Sequence, residues 1–152
     1  MKKILVSFVI VILAVFSANA QHFSGLKVEK YSFDSVYPNS LRSVSGKVTL
    51  TVSNTGEARK VKDIKAVAYR NGVPFINGTC SDVSFQRGSK AYPLTGTVSL
   101  ANGITVWTVI KAALFFNASE YTVDVTCTMT HENGSTEVVR KVGVPISNYI
   151  RR

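Results

Sequence analysis

Strict alternation of apolar and polar side chains is the feature that most constrains the fold of this chain. Along residues 121–130, Val, Val, Cys and Met alternate with threonines and one aspartate, and residues 44–53 repeat the pattern. Successive side chains of an extended strand point to opposite faces, so a period of two places all the apolar groups on one face. These segments are therefore predicted to be strands with one buried face.

Turn sequences separate the predicted strands at short intervals. The Asn-Gly pairs at 71–72 and 133–134 are typical of hairpin loops, because both residues tolerate positive φ. A change of alternation at 63–64 indicates a β-bulge, and the Asn-Gly pair at 77–78 indicates a second bulge or a break. About seven short strands spaced in this way predict an all-β fold, either an antiparallel sandwich or a barrel.

Residues 104–116 fit two structures. Their β-branched side chains favour a strand. A helix would have the spacing of an amphipathic helix, with Trp107 and Lys111 beside an apolar face. That face would consist of Val106, Val109, Ile110, Ala113 and Leu114. The sequence leaves a strand and one short helix open for this segment.

The first twenty residues have the layout of a cleaved bacterial secretory signal. Lys2 and Lys3 are followed by an uncharged, mostly apolar run at 4–16, and small residues lead up to Ala20. A run this short cannot cross roughly 30 Å of hydrocarbon, and small side chains fit the signal peptidase pocket. We expect cleavage between Ala20 and Gln21 and export to the periplasm or the extracellular space.

The segment that remains, residues 21–152, is predicted to form a single domain. It contains no second apolar stretch of about 18 residues, so we expect no membrane span after cleavage. Loss of Lys2 and Lys3 leaves 16 Lys and Arg against 9 Asp and Glu, a net charge of +7. This charge favours an envelope protein or an anionic envelope surface as partner. Nucleic acid is not expected, because the basic run at 59–65 lacks the interleaved aromatic residues that stack on bases.

Four stretches, in this order along the chain, carry a family resemblance. They are the strand and turn at 48–54, the hairpin at 69–74, the apolar segment at 106–115, and the final hairpin with its strands at 121–125 and 142–146. The chain resembles the late embryogenesis abundant group-two domain, also called the water-stress and hypersensitive-response domain. It departs from that family at Asn54, which is followed by threonine where the family usually has proline.

The resemblance implies an immunoglobulin-like or fibronectin-like antiparallel sandwich of about seven strands. In that family the segment before the last hairpin tends to be a helix. The resemblance also implies a domain without enzymatic activity, associated with stress protection and, in some members, with lipid handling.

Cys80 and Cys127 are the two cysteines of the chain, and export would favour a disulfide between them. Cys127 lies on the apolar face of its strand, whereas Cys80 alternates with the face that carries Val83 and Phe85. Unless an irregularity resets the register, the two sulfur atoms need not meet. A disulfide and two separate small apolar side chains therefore both remain open.

Large apolar side chains cluster in residues 104–116 and could line a groove for a lipid or a peptide. The groove candidates are Val106, Trp107, Ile110, Leu114 and Phe115, together with Phe116. Sandwich cores use the same residue types, and burial in the core is the favoured interpretation.

No catalytic, cofactor-binding or metal-binding residues are predicted. A nucleophile–base pair needs a rigidly held histidine, and neither His22 in the tail nor His131 beside a turn offers one. Asp82, Glu120 and Asp124 would support glycoside hydrolysis only if they converged in space. We therefore expect an exported, non-enzymatic binding or envelope accessory module. The alternative is a carrier of an apolar ligand or lipid.

Overall fold

The computed structural model describes residues 25–146, so the predicted leader and its cleavage site between Ala20 and Gln21 lie outside the described residues. The elements in chain order are β1 (Leu26–Pro38), β2 (Ser43–Asn54), β3 (Arg59–Arg70), β4 (Val73–Cys80), β5 (Val83–Phe85), β6 (Gly88–Leu100), α1 (Val106–Leu114), a 3-10 turn (Ala118–Glu120), β7 (Tyr121–His131) and β8 (Thr136–Pro145). The all-β prediction is confirmed.

The strands form one antiparallel sheet that curls into a half-barrel. Its order is β1-β2-β6-β4-β3-β7-β8, and β5 pairs with the first residues of β3. The core lies on the concave face, where Leu50, Ile64, Phe85 and Met129 are the largest fully buried side chains. The apolar faces predicted for residues 44–53 and 121–130 are both directed into this core.

The predicted irregularities of β3 are confirmed. Asn71 and Gly72 join β3 to β4 with φ of 50° and 80°, as a type I′ hairpin requires. The register of β3 against β7 shifts between Lys62 and Lys65, and Asp63 adopts a φ of 54° inside that bulge. The bulge keeps Val61 and Ile64 on the same buried face although they are three positions apart, an odd spacing that regular alternation would place on opposite faces.

The irregularity of β4 lies earlier than the sequence indicates. The strand runs unbroken through Asn77 and Gly78, and its register against β3 shifts at Phe75. Phe75 and Ile76 are consequently both buried although they are adjacent. Cys80 thereby joins the face that packs against the core.

β6 is longer than the sequence predicts. Its first half contains Pro93, a residue that argues against a strand. The sequence indicates a strand only for residues 95–100, whereas β6 begins at Gly88. Pro93 lies opposite Thr49 of β2, and β4 pairs with β6 only from Gly96 onwards. At the level of Pro93 the strand has one paired neighbour, so the missing N–H faces an edge, where proline is tolerated.

Residues 106–114 form the helix α1, which settles the alternative that the sequence left open. The Thr105 side chain caps its first turn by accepting a hydrogen bond from the backbone N–H of Thr108. Val109 and Ala112 are its buried residues and press on the core. Within residues 25–146, no helix is long and apolar enough to cross a bilayer.

Asn54 organises the end of the sheet opposite α1. Its side chain is fully buried and makes three hydrogen bonds to backbone groups. The amide nitrogen donates to the carbonyls of Glu57 and Gln86 at 3.1 Å each, and the amide oxygen accepts from the N–H of Gly56 at 3.1 Å. One side chain therefore joins the β2–β3 loop to the β5–β6 turn.

We predict that Asn54→Ala lowers the free energy of unfolding by about 2–4 kcal/mol, because two carbonyls and one N–H lose their partner in a buried position. Equilibrium urea unfolding measures the change. Asn102→Ala, at an exposed turn, is the matched control and is expected to stay within about 0.5 kcal/mol of the parent. An Asn54→Ala protein as stable as this control would contradict the assignment.

Candidate functional site

The structure places most of the groove candidates on the outside of the molecule. Trp107, Ile110 and Leu114 recur at helical spacing on the outward face of α1, and Phe115 and Phe116 follow directly. Their exposed fractions are 63%, 43%, 73%, 79% and 51%. We call these five residues the α1 apolar surface. The interpretation favoured from sequence, that these side chains are buried in the core, is therefore wrong for these five residues.

Three ring contacts involve residues of the α1 apolar surface or their immediate neighbours. The ring of Phe116 stacks on Tyr121 with centroids 5.2 Å apart, and Tyr121 meets Phe75 of the core edge-on at 5.8 Å. At the other side, the Lys111 Nζ lies 5.5 Å from the centroid of the Trp107 ring, a cation–π distance. The surface therefore carries a positive charge within its apolar area.

The inner side of α1 covers only a small cleft. Val106, the one half-buried groove candidate, lines the cleft together with Val109. The other lining residues come from the β1–β2 loop and from β2, β4 and β6, and include Leu41, Val44, Ile76 and Val98. The free volume is about 40 Å³. This is on the order of one or two water molecules and far below the roughly 300–1,000 Å³ of small-molecule pockets.

The end of the sheet that carries α1 is basic. In its described segments (37–43, 69–74, 101–121 and 144–146) Glu120 is the one acidic residue, and it pairs with Arg70 at 3.2 Å. Arg42 donates to the carbonyl of Ala101, which is not an acid, and Lys111 lies over Trp107. Two positive charges at this end are therefore not offset by a carboxylate of those segments.

The opposite end holds His131, which lies between two carboxylates. His131 Nδ1 lies 2.6 Å from Glu57 Oε1, and Nε2 lies 3.3 Å from Glu137 Oε2. The hydrogen bond to Glu57 is the main cause that raises the pKa of His131, and desolvation opposes it. The sequence does not reveal this arrangement, because Glu57 is distant in the chain and reaches His131 only through the register of β3 against β7.

This histidine is not arranged for nucleophilic catalysis or for metal binding. Both ring nitrogens are engaged by carboxylates, so neither is available to take a proton from a hydroxyl or a thiol. Glu132, the neighbour in sequence, pairs with Arg87 at 3.0 Å instead. Across residues 25–146, no group of three His, Cys, Asp or Glu side chains is placed to hold a metal ion.

The three carboxylates considered for hydrolysis have separate partners. Asp82 accepts from the N–H of Asp63, Glu120 pairs with Arg70, and Asp124 accepts from the N–H of Gly143. Glu120 and Asp124 are four residues apart along an extended chain, a rise of roughly 13 Å. That separation exceeds the roughly 9.5 Å at which two carboxyl groups act on one glycosidic bond.

Cys80 and Cys127 are free thiols in the structure. Both lie on the core side of the sheet, but β3 runs between their strands. Cys80 is opposite Ile64, and Cys127 faces the bulge at 63–64 from the other side of β3. Two strand spacings separate their Cα atoms by roughly 9–10 Å, whereas a disulfide needs about 4.4–6.8 Å.

Comparison with known proteins gives structural neighbours only. No family model and no curated protein matches the sequence. A crystal structure of a protein from Archaeoglobus fulgidus is 16% identical at a TM-score of 0.39, and the match covers 72% of this chain and 93% of that chain. An X-ray structure of a Northeast Structural Genomics Consortium target is 17% identical at a TM-score of 0.33, with coverages of 78% and 83%.

A β-glucuronidase from glycoside hydrolase family 2 is also similar to this chain. It is 11% identical at a TM-score of 0.36, and the match covers 80% of this chain but 13% of that enzyme. At these identities and TM-scores, none of the three matches bears on activity.

We predict that His131 stabilises the fold more at pH 6 than at pH 9. Folding raises the pKa of His131 above the ordinary value of 6.5. Such a group contributes its full stabilisation below pH 6.5, and this stabilisation is lost as the pH rises through the folded pKa. His131→Gln should therefore cost about 0.5–1 kcal/mol at pH 6 and less at pH 9, measured by urea unfolding. Glu132→Gln, which removes a nearby acid that does not contact the ring, is the control. If the loss of unfolding free energy caused by His131→Gln grew with pH, the prediction would be wrong.

We predict that both thiols react slowly with a thiol reagent in the folded protein and rapidly in denaturant. Burial raises the pKa of Cys80 and of Cys127 to about 11 each, so about one thiol in a thousand is ionised at pH 8. Asn102→Cys, which adds an exposed cysteine, is the control for fast reaction. Protein unfolded without reductant should release two thiols per chain, and a count of zero would show that a disulfide exists.

Proposed function

We propose that this protein is an exported, non-enzymatic binding module of the bacterial envelope, and that the α1 apolar surface is its contact surface. The observation that carries the proposal is the exposure of five large apolar side chains in one short stretch, three on α1 and two directly after it. Single exposed apolar residues are ordinary on protein surfaces, whereas a contiguous group rimmed by polar residues marks an interaction site.

The arrangement of α1 supports this interpretation over one based on core packing. The helix turns its small or medium side chains, Val109 and Ala112, towards the core and its largest, Trp107 and Leu114, towards solvent. A helix selected only to cover the sheet would do the reverse, because burial of large apolar groups contributes most to stability. The outward apolar residues therefore have a use other than folding.

We further propose that the domain is of the late embryogenesis abundant group-two type, with an immunoglobulin-like sandwich. The supporting observation is that α1, followed by the 3-10 turn, comes before the last hairpin, which is where that family tends to have a helix. In this description β1, β2 and β6 form one layer, β3, β7 and β8 form the other, and β4 joins them. The proposal of export depends on the leader in residues 1–20.

The alternative of a ligand carrier is less well supported. A carrier needs an enclosed apolar space, and the cleft beneath α1 offers about 40 Å³. An acyl chain would have to displace the helix from the sheet, at the cost of the buried contacts of Val109 and Ala112. We therefore favour binding on the outside of α1.

Site-specific photocrosslinking in intact host cells tests the proposed contact surface. A photoreactive phenylalanine derivative replaces Leu114 in one variant and Val138 of β8 in the matched control, since the two side chains are 73% and 71% exposed. We expect a discrete adduct on the exported protein from position 114 and none from position 138. Equal adducts from both positions, or none from position 114, would contradict the proposed contact surface.

A further inference from the structure

We infer that the α1 apolar surface docks on an anionic lipid bilayer, with α1 lying in the headgroup region rather than crossing the membrane. The inference rests on the proposed function and names the partner of that same surface. Trp107, Leu114 and Phe115 enter the interface, and Arg42 and Lys111 face the headgroups.

The shape of the surface favours a bilayer over a peptide or a small ligand. The exposed groups stand on the outer side of a nine-residue helix and on the turn that follows it, so they project from one end of the sheet. The cleft beneath α1 is too small for a side chain of a partner to enter deeply. A projecting apolar surface fits a planar, deformable partner better than a partner that must insert a side chain into a pocket.

The residue types are those that partition into a membrane interface. Trp and Phe combine a large apolar area with a preference for the headgroup level, and Leu and Ile supply further apolar area. Short helices with Trp, Phe and Leu on one side and Lys beside them lie in the interface plane. Lys111, placed over the Trp107 ring, can reach the headgroups from the same face that carries the apolar groups.

Charge complementarity selects an anionic bilayer. Arg42 and Lys111 are not offset by an acid in the described segments at this end, since Glu120 is paired with Arg70. The chain that remains after cleavage carries a net charge of +7, so the whole molecule is attracted to a negative surface. Basic residues near an anionic leaflet each strengthen attachment about fivefold.

The same charges argue against a second copy as the occupant. Two copies that met through the α1 apolar surface by two-fold symmetry would present the same patch to each other. The contact would then hold Lys111 from both copies, with no carboxylate to offset the two charges in the described part of this surface. Like charges in a desolvated contact are unfavourable.

Tryptophan fluorescence of the cleaved protein provides a direct test. Trp107 is the single tryptophan of the chain and belongs to the α1 apolar surface, so its emission reports on this surface alone. We expect a blue shift with vesicles of phosphatidylcholine plus phosphatidylglycerol, quenching by brominated acyl chains, and a much weaker response to phosphatidylcholine alone. No shift at saturating anionic lipid, or an equal response to both vesicles, would overturn the inference.

Matched variants separate insertion from charge. Leu114→Ser with Phe115→Ser should weaken binding to anionic vesicles at least about tenfold, whereas Val138→Ser with Val142→Ser, which removes two exposed apolar side chains from β8, should leave it unchanged. Arg42→Gln with Lys111→Gln should weaken binding about 25-fold in low salt and less in high salt. Unfolding curves that match the parent verify that each variant is folded, and equal effects of the first two pairs would overturn the inference.

The test also distinguishes failure of the inference from failure of the proposed function. A photoadduct from position 114 to a protein, with no vesicle response of Trp107, would refute bilayer docking and keep the binding module. A blue shift that appears without lipid as the protein concentration rises would instead assign the surface to a second copy. Absence of both an adduct and a vesicle response would refute the two proposals together.

Discussion

Burial of one face of a single curled sheet is the constraint on which the rest of this structure depends. The apolar side chains of β2, β3 and β7 can leave water only if the sheet bends until its two halves meet around Leu50, Ile64 and Met129. The bulges in β3 and β4 serve this bending, because each returns an apolar residue to the concave face after the strand has changed direction. The open end of the curl then needs a cover, which α1 supplies with Val109 and Ala112.

The two ends of the curled sheet differ in chemistry as a result. At one end polar groups are satisfied by one another: Asn54 holds two loops, and His131 is engaged by Glu57 and Glu137. At the other end α1 leaves apolar groups in solvent beside basic side chains whose charge no nearby acid offsets. The first end holds the sheet together, and the second is the end that we propose as the contact surface.

Much of the fold could be predicted from sequence because it follows from local rules. The alternation of β2 and β7, the Asn71-Gly72 hairpin and the bulge near Asp63 depend on neighbouring residues alone. The first half of β6 could not be predicted, since Pro93 is acceptable there only because the strand has a single neighbour. The pairing of His131 with Glu57 depends on a register between distant strands, and no local signal reports it.

The candidate site was only partly predictable, for a related reason. Helical spacing predicts that Val109, Ile110 and Leu114 share one face, whereas α1 buries Val109 and turns Ile110 and Leu114 towards solvent. Which side of α1 meets the sheet is decided by tertiary packing, in which Val109 and Ala112 join the core. The spacing of residues in the sequence does not report that choice.

The packing of α1 through Val109 and Ala112 leaves its outward side chains without a role in the core. Once Val109 and Ala112 seal the core, the identity of the outer side chains of α1 hardly affects packing, and polar residues there would favour solubility. The chain instead places an indole, two phenyl rings and two branched aliphatic groups at this position, with Lys111 over the indole. Folding alone does not require that combination. An anionic bilayer would interact favourably with both, its acyl chains with the apolar groups and its headgroups with the positive charge.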